Sequence, residues 1–172
     1  MEQKLKILCV NMNPKKFEHN SNKSDWNLHP SLFIDKGHEV ISIGKYELYK
    51  FYFIYLKFKP DIIKIDWVPA SMIPLTFKKL GLVKCPIVMD WSDFFEEMLM
   101  NYPKFIARFM ERFSVRNADY LTTASRRNEQ EAIKMGKEVL YIPHGVFTND
   151  KKIDDYNVPE LINARGKIDL YI

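Results

Sequence analysis

With 172 residues, 47% of them hydrophobic, the chain has the size of one ordinary domain and enough apolar material for a sizeable core, which excludes a disordered or fibrous protein. The formal net charge of +4 is modest, and its lysines are spread along the whole length with no arginine-rich recognition helix, so no nucleic-acid partner is expected. Two cysteines, Cys9 in a predicted strand and Cys85 just before another, read as buried thiols of a reducing compartment and not as a disulfide framework.

Met1 to Lys4 lead straight into Leu5–Val10, a run too short for the apolar region of a signal peptide with its processing site. No uncharged stretch is long enough to span a bilayer. The expectation is a cytoplasmic protein, with peripheral contact at the inner membrane face left open.

Leu5–Val10 predicts the first strand. Trp26–Asp35 has helical character and stops before Gly37, a C-cap beyond Lys36. Glu39–Ile43 predicts the second strand. Tyr46–Phe58 follows as one predicted helix ending before Lys59-Pro60, where proline disfavours continuation. That helix is aromatic nearly all round, with Lys50 and Lys57 close to one face. It is either sandwiched in the core or a surface resting on lipid or a partner, with tyrosines at the interface and lysine stems snorkelling. Ile62–Ile65 predicts the third strand, and Pro69–Leu80 a helix that closes at Gly81, with Pro74 marking a kink or a later start. Ile87–Met89 predicts the fourth strand, and Pro103–Val115 a helix opened by proline near its first turn. Tyr120–Thr123, a helix over Ser125–Met135 closing at Gly136, and Val139–Ile142 complete the series. Ser125 is a near miss to a capping box, because Asn128 carries no carboxylate.

Nearly continuous runs of isoleucine and valine fit strands covered on both faces, and their alternation with helices predicts an α/β fold: an open, mostly parallel, Rossmann-like sheet flanked by helices. The compact domain is placed at 1–147. Residues 148–172 then hold a polar linker, a short helix near Pro159 to Ala164, and the strand-forming run Lys167–Ile172, expected to open a second, truncated domain.

In such sheets ligands sit beyond the carboxyl ends of the strands, which selects the residues worth weighing. After the first strand stands Asn11, with no G-x-G-x-x-G fingerprint, so a dinucleotide dehydrogenase is disfavoured; Asn11 either binds a polar ligand or bonds its own turn. Asp66-Trp67 follows the third strand and Asp90-Trp91-Ser92-Asp93 the fourth. Indole faces stack on sugars or bases while aspartate oxygens accept from hydroxyls, but both tryptophans serve equally as packing under a loop, and Asp93 as a helix cap. His144-Gly145 follows the last strand; the imidazole donates either to a phosphate or hydroxyl or to a structural partner, and the glycine gives backbone freedom or room for a ligand. Ser125-Arg126-Arg127 at a helix start forms an anion site or a solvated basic patch. No histidine has companions at metal-site spacing, and no Ser-His-Asp order can be assigned, so no metal is expected.

Several segments in order resemble the N-terminal domain of GT-B glycosyltransferases, particularly the family 4 retaining group. They are Lys6-Ile7-Leu8, Lys36-Gly37-His38-Glu39-Val40, Lys59-Pro60-Asp61-Ile62-Ile63, Asp90-Trp91-Ser92-Asp93, Asn117-Ala118-Asp119-Tyr120 and Ile142-Pro143-His144-Gly145-Val146, together covering residues 4–147. The resemblance implies that this domain binds the acceptor, while the nucleotide-sugar donor is held mainly by a C-terminal domain of the same parent chain. No cofactor would reside here. Asp66, Trp67, Asp90, Asp93 and His144 would orient a carbohydrate or lipid-linked acceptor, Arg126 would meet an anionic group, and Asp93 would carry the catalytic weight. The full-length parent would then be an enzyme, and this domain alone would not turn over. Three positions depart from the family pattern: the first loop lacks a glycine pair, Ser92 stands where histidine is common, and Phe147 replaces an aspartate. These motivate the rival expectation of a non-catalytic carbohydrate- or ligand-binding module; an epimerase-like α/β enzyme is a third.

Overall fold

The computed structural model describes residues 4–11, 28–92 and 103–142. Asp93, His144, Gly145 and the elements expected within 148–172 lie outside the described residues. Six strands are described: β1 Lys6–Asn11, β2 Glu39–Gly44, β3 Ile62–Ile65, β4 Ile87–Asp90, β5 Tyr120–Thr123 and β6 Leu140–Tyr141. The helices between them are α1 Leu28–Asp35, α2 Phe51–Phe58, α3 Val68–Lys79, α4 Lys104–Asn117 and α5 Arg126–Lys134. All strand pairings are parallel, in the order β2-β1-β3-β4-β5-β6. The Rossmann-like α/β architecture expected from the sequence is thus present, and its strand order reverses direction between β1 and β3.

Side chains alternate across the sheet, and the alternation sorts them by chemistry. One face carries Leu8, Val10, Ile43, Ile63, Ile65, Ile87, Met89 and Leu121, all buried in one cluster with Phe51 and Phe58 of α2, Leu75 of α3, and Ala107 and Val115 of α4. The paired registers put Cys9, Lys64, Val88 and Tyr120 on the opposite face, with Asn11, Asp90 and Thr122 one row nearer the carboxyl ends. The first face is the hydrophobic core. The second carries the polar groups.

The helix over 46–58 expected from the sequence is corrected to two pieces. A 3-10 segment, Lys45–Lys50, precedes α2, and the Gly44 N–H donates to the Glu47 carboxylate at 3.4 Å. Short 3-10 stretches are common where an α-helix begins, and their three-residue turn sets positions 46 and 49 on one side of the segment. The α2 turns bury Phe51 and Phe58, and the Tyr52 ring lies parallel to Phe77 of α3 with centroids 4.7 Å apart. Lys59 ends α2 in the left-handed region, φ 53°, ahead of Pro60. α3 continues through Pro74. Ser71 of α3 and Ser114 of α4 bring these helices together, their hydroxyls 2.5 Å apart.

At the amino edge of the sheet one device recurs. The Asp61 N–H donates to the Lys6 carbonyl at 2.8 Å, while the Asp61 carboxylate accepts from the Lys6 N–H at 2.8 Å. Asp119 does the same to Ile87, at 3.1 and 2.7 Å, and also pairs with Lys78 at 2.8 Å. His38 Nδ1 accepts from the Leu5 N–H at 3.4 Å beside the bond from the Glu39 N–H to the Leu5 carbonyl. Each staple satisfies a strand's first orphan N–H and fixes the register of its neighbour. Asp61→Ala and Asp119→Ala should each lower stability by about 1 kcal/mol, since each loses a charge-assisted bond, exposed at Asp61 and part-buried at Asp119. Urea unfolding checks this, and wild-type midpoints in both variants would remove the staples' assigned role.

Candidate functional site

β2 lies on one side of β1 and β4 on the far side of β3, so the strand order reverses between β1 and β3, the place in open α/β sheets where ligands bind beyond the carboxyl ends of the strands. Asn11 closes β1, and Asp66 follows β3 directly, its N–H donating to the Val10 carbonyl at 3.2 Å. Asp90 closes β4, and its Oδ1 accepts from the Thr122 hydroxyl at 3.0 Å. By strand alternation Asn11, Asp66, Asp90 and Thr122 form a polar row along one rim, on the face away from the core.

One row below, Lys64 points the same way as Asp66, two residues on, and the two side chains form an ion pair. Burial alone would pull the Lys64 ammonium down, but the charges of Asp66 and Asp90 and the hydrogen bond to Asp66 outweigh it and push the lysine above its ordinary value. Its neighbour across the β1–β3 pairing, Cys9, is pushed up to about 12, chiefly by burial, partly opposed by Lys64. The thiol is therefore neutral and inert at physiological pH.

Two acceptors in this row have no hydrogen-bond partner among the described residues. They are Oδ1 of Asn11 and Oδ2 of Asp66. Asn11 is 5% exposed and uses its side-chain N–H toward the Ser42 hydroxyl at 3.2 Å; the Asp66 side chain is 8% exposed and engages Lys64 through its other oxygen. A buried oxygen without a donor is costly, on the order of 1–3 kcal/mol. Two of them side by side at a strand-order reversal are fitted to a ligand that brings O–H or N–H groups.

The remaining candidates separate. Trp67 is half-buried as the residue before α3 and packs against the core cluster. Trp91 is 1% exposed; its indole N–H donates to Glu111 at 2.8 Å, and its carbonyl accepts from Thr123 at 2.6 Å and from the Asn128 side chain at 2.7 Å. Its ring is a core element, the packing alternative of the two that the sequence left open, and it offers no face for stacking. Ser92 is half-exposed just beyond it. Arg126 opens α5, whose first turn is capped by the Ser125 hydroxyl accepting from the Asn128 N–H at 3.4 Å. The Arg126 guanidinium bonds Glu129 at 3.0 Å and lies 3.8 Å over the Tyr141 ring, so contact with an anion would compete with both. Among the described residues no three histidine, cysteine, aspartate or glutamate side chains gather as a metal-ligating group.

Sequence reading missed Lys64 and Glu111. The signal for Lys64 was a lone charge inside Ile62-Ile63-Lys64-Ile65, which requires a buried partner, and Asp66 stood at the spacing that shares its face. Glu111 gave no such signal, because its partner is twenty positions away on another element.

Lys64→Met should cost about 3–5 kcal/mol at neutral pH by leaving the buried Asp66 carboxylate without its ion-pair partner. Cys9 and Lys64 both titrate higher folded than unfolded, so their contributions are complete below the unfolded values and fade with rising pH, for Cys9 between 9.0 and about 12. Urea titrations at stepped alkaline pH should show that fall, and Cys9→Ala should flatten it. A slope unchanged by the substitution would contradict the buried neutral thiol. Comparison with known proteins finds no family model that matches the chain and no curated protein that matches it.

Proposed function

We propose that the chain is the acceptor-binding half of a glycosyltransferase of GT-B architecture, which moves a sugar from a nucleotide-sugar donor to an acceptor hydroxyl with retention at the sugar carbon. The nucleoside diphosphate leaves as the acceptor oxygen takes its place, and the hydroxyl proton departs with it or to solvent. In this reading the donor is held mainly by a second domain of the parent, and Asp93 as the catalytic residue and His144 and Gly145 as acceptor contacts, all outside the described residues, would belong to the same acceptor site.

The observation that supports the reading is the pair of buried oxygens on Asn11 and Asp66 that have no hydrogen-bond partner among the described residues, at the strand-order reversal of a Rossmann-like sheet. Carbohydrate hydroxyls are the donors such a pair fits, and the neighbouring Asp90 supplies a further acceptor on the same rim. One observation favours a non-catalytic binding module instead. Asp66 is committed to Lys64 and Asp90 accepts from Thr122, so neither described carboxylate is held ready as a general base.

Turnover separates the two. The full-length parent, assayed against a panel of nucleotide-sugars with mixed glycan acceptors, should release nucleoside diphosphate in an acceptor-dependent way. Asn11→Ala should lower kcat/KM by about 10–100-fold, the equivalent of one buried hydrogen bond to substrate, with its circular dichroism and melting curve preserved. Sugar binding without transfer selects the module; neither binding nor transfer across the panel defeats both.

A further inference from the structure

We infer that the 3-10 segment Lys45–Lys50 and α2 form a docking surface for an anionic lipid bilayer. The segment has two aromatic faces with different fates. Phe51 and Phe58 are buried, and Tyr52 and Tyr55 pack against the core, with Tyr55 also accepting from the Lys84 N–H at 3.1 Å. Tyr46, Tyr49, Phe53 and Leu56 are 51–78% exposed. Their spacing of three, four and three residues aligns them in one stripe along the solvent side of the segment. Core packing already has its own aromatic set, so this second set does nothing for the fold.

The charges around the stripe identify the occupant. Lys45, Lys50 and Lys57 alternate with the aromatics, and two of them lie over the rings: the Lys45 ammonium 4.9 Å from the centroid of Tyr46 and the Lys50 ammonium 5.2 Å from that of Tyr49. The one acidic residue of the segment, Glu47, is turned back to accept from the Gly44 N–H. Exposed tyrosines and a phenylalanine among unopposed lysines match the headgroup region of an anionic leaflet, where rings sit at the boundary and ammonium groups meet lipid phosphates. A protein partner of opposite charge or a second copy of this chain would have to answer three lysines with carboxylates. The segment itself offers only Glu47, which already accepts from the Gly44 N–H.

Its position adds a functional consequence. Gly44 is paired with Asn11, so Lys45 and Tyr46 begin at the carboxyl edge of the sheet that also carries the candidate site. A membrane met by this stripe would bring lipid-borne glycan headgroups to the rim where Asn11 and Asp66 wait for donors. That consequence rests on the proposed function; the docking surface does not.

Vesicle sedimentation of the full 172-residue chain tests it, with phosphatidylcholine vesicles with and without phosphatidylserine. The expected result is partition onto the anionic vesicles, weakened by salt and by about fivefold for each of Lys45→Ala, Lys50→Ala and Lys57→Ala. Phe53→Ser should weaken it about tenfold through lost apolar burial, with the melting curve unchanged because the ring is outside the core. Lys104→Ala, an exposed lysine on α4, should leave it intact. No partition onto anionic vesicles by the folded chain overturns the inference, as does an equal loss in Lys104→Ala. Concentration-dependent self-association in light scattering, abolished by Phe53→Ser and unaffected by vesicles, also overturns it and assigns the stripe to a second copy. Transfer to a water-soluble acceptor should be indifferent to these variants, so failure here leaves the catalytic reading standing on its own test.

Discussion

A lysine in the third strand of a parallel sheet can stay charged only if carboxylates stand next to it, and at Lys64 strand geometry dictates where they stand. Alternation puts Asp66 on the same face two residues later, and the β3–β4 register carries Asp90 to the same side one row above. The ion pair then fixes the chemistry of the whole rim. One Asp66 oxygen is held by Lys64 while the other has no donor among the described residues, as is true of the Asn11 oxygen on the neighbouring strand. The capacity to accept from a ligand is thus a by-product of how the buried charge is neutralised, and removing the lysine would alter the site and the fold together.

The two edges of the sheet do different work, and this bears on what a resemblance can report. His38, Asp61 and Asp119, which belong to the segments most like the GT-B pattern, sit at the amino edge and staple neighbouring strands. They specify register, so a chain that shares them shares the fold. Ser92, at the opposite edge, departs from that pattern, and Asp93 and His144 lie outside the described residues.

Most of the fold was legible because its signals are local. Isoleucine-rich runs marked the strands; Gly37, with φ 85°, and Pro60 marked helix ends; proline opened α4. The site was legible in part, because the rule that ligands gather at strand ends picked out Asn11, Asp66 and Asp90 without further help. What was not legible depends on distant partners. Trp67 and Trp91 stand in the same local setting, each one residue beyond a strand-end aspartate, yet Trp91 alone is sealed by a glutamate from α4 and an asparagine from α5. The 3-10 turn was hidden for a different reason: its residues suit an α-helix equally well, and short 3-10 stretches at the start of a helix leave no mark in local composition.

The aromatic stretch 46–58 shows why composition alone left two readings open, since both hold at once on different faces. Phe51 and Phe53 differ by two positions and one is wholly buried while the other is largely exposed, because a helix of this pitch turns them to opposite sides. A fully sandwiched helix would have buried both sets, and a purely interfacial one would have left the core without its Phe77 stack. Keeping the second set exposed carries a solubility cost unless something covers it, and the lysines among those rings narrow what that something is. Since the stripe starts where β2 ends beside Asn11, the rim proposed to accept hydroxyls and the surface proposed to meet lipid begin at one edge of the sheet. On those two proposals, a soluble acceptor would account for the first feature alone, whereas an acceptor carried on a lipid would account for both.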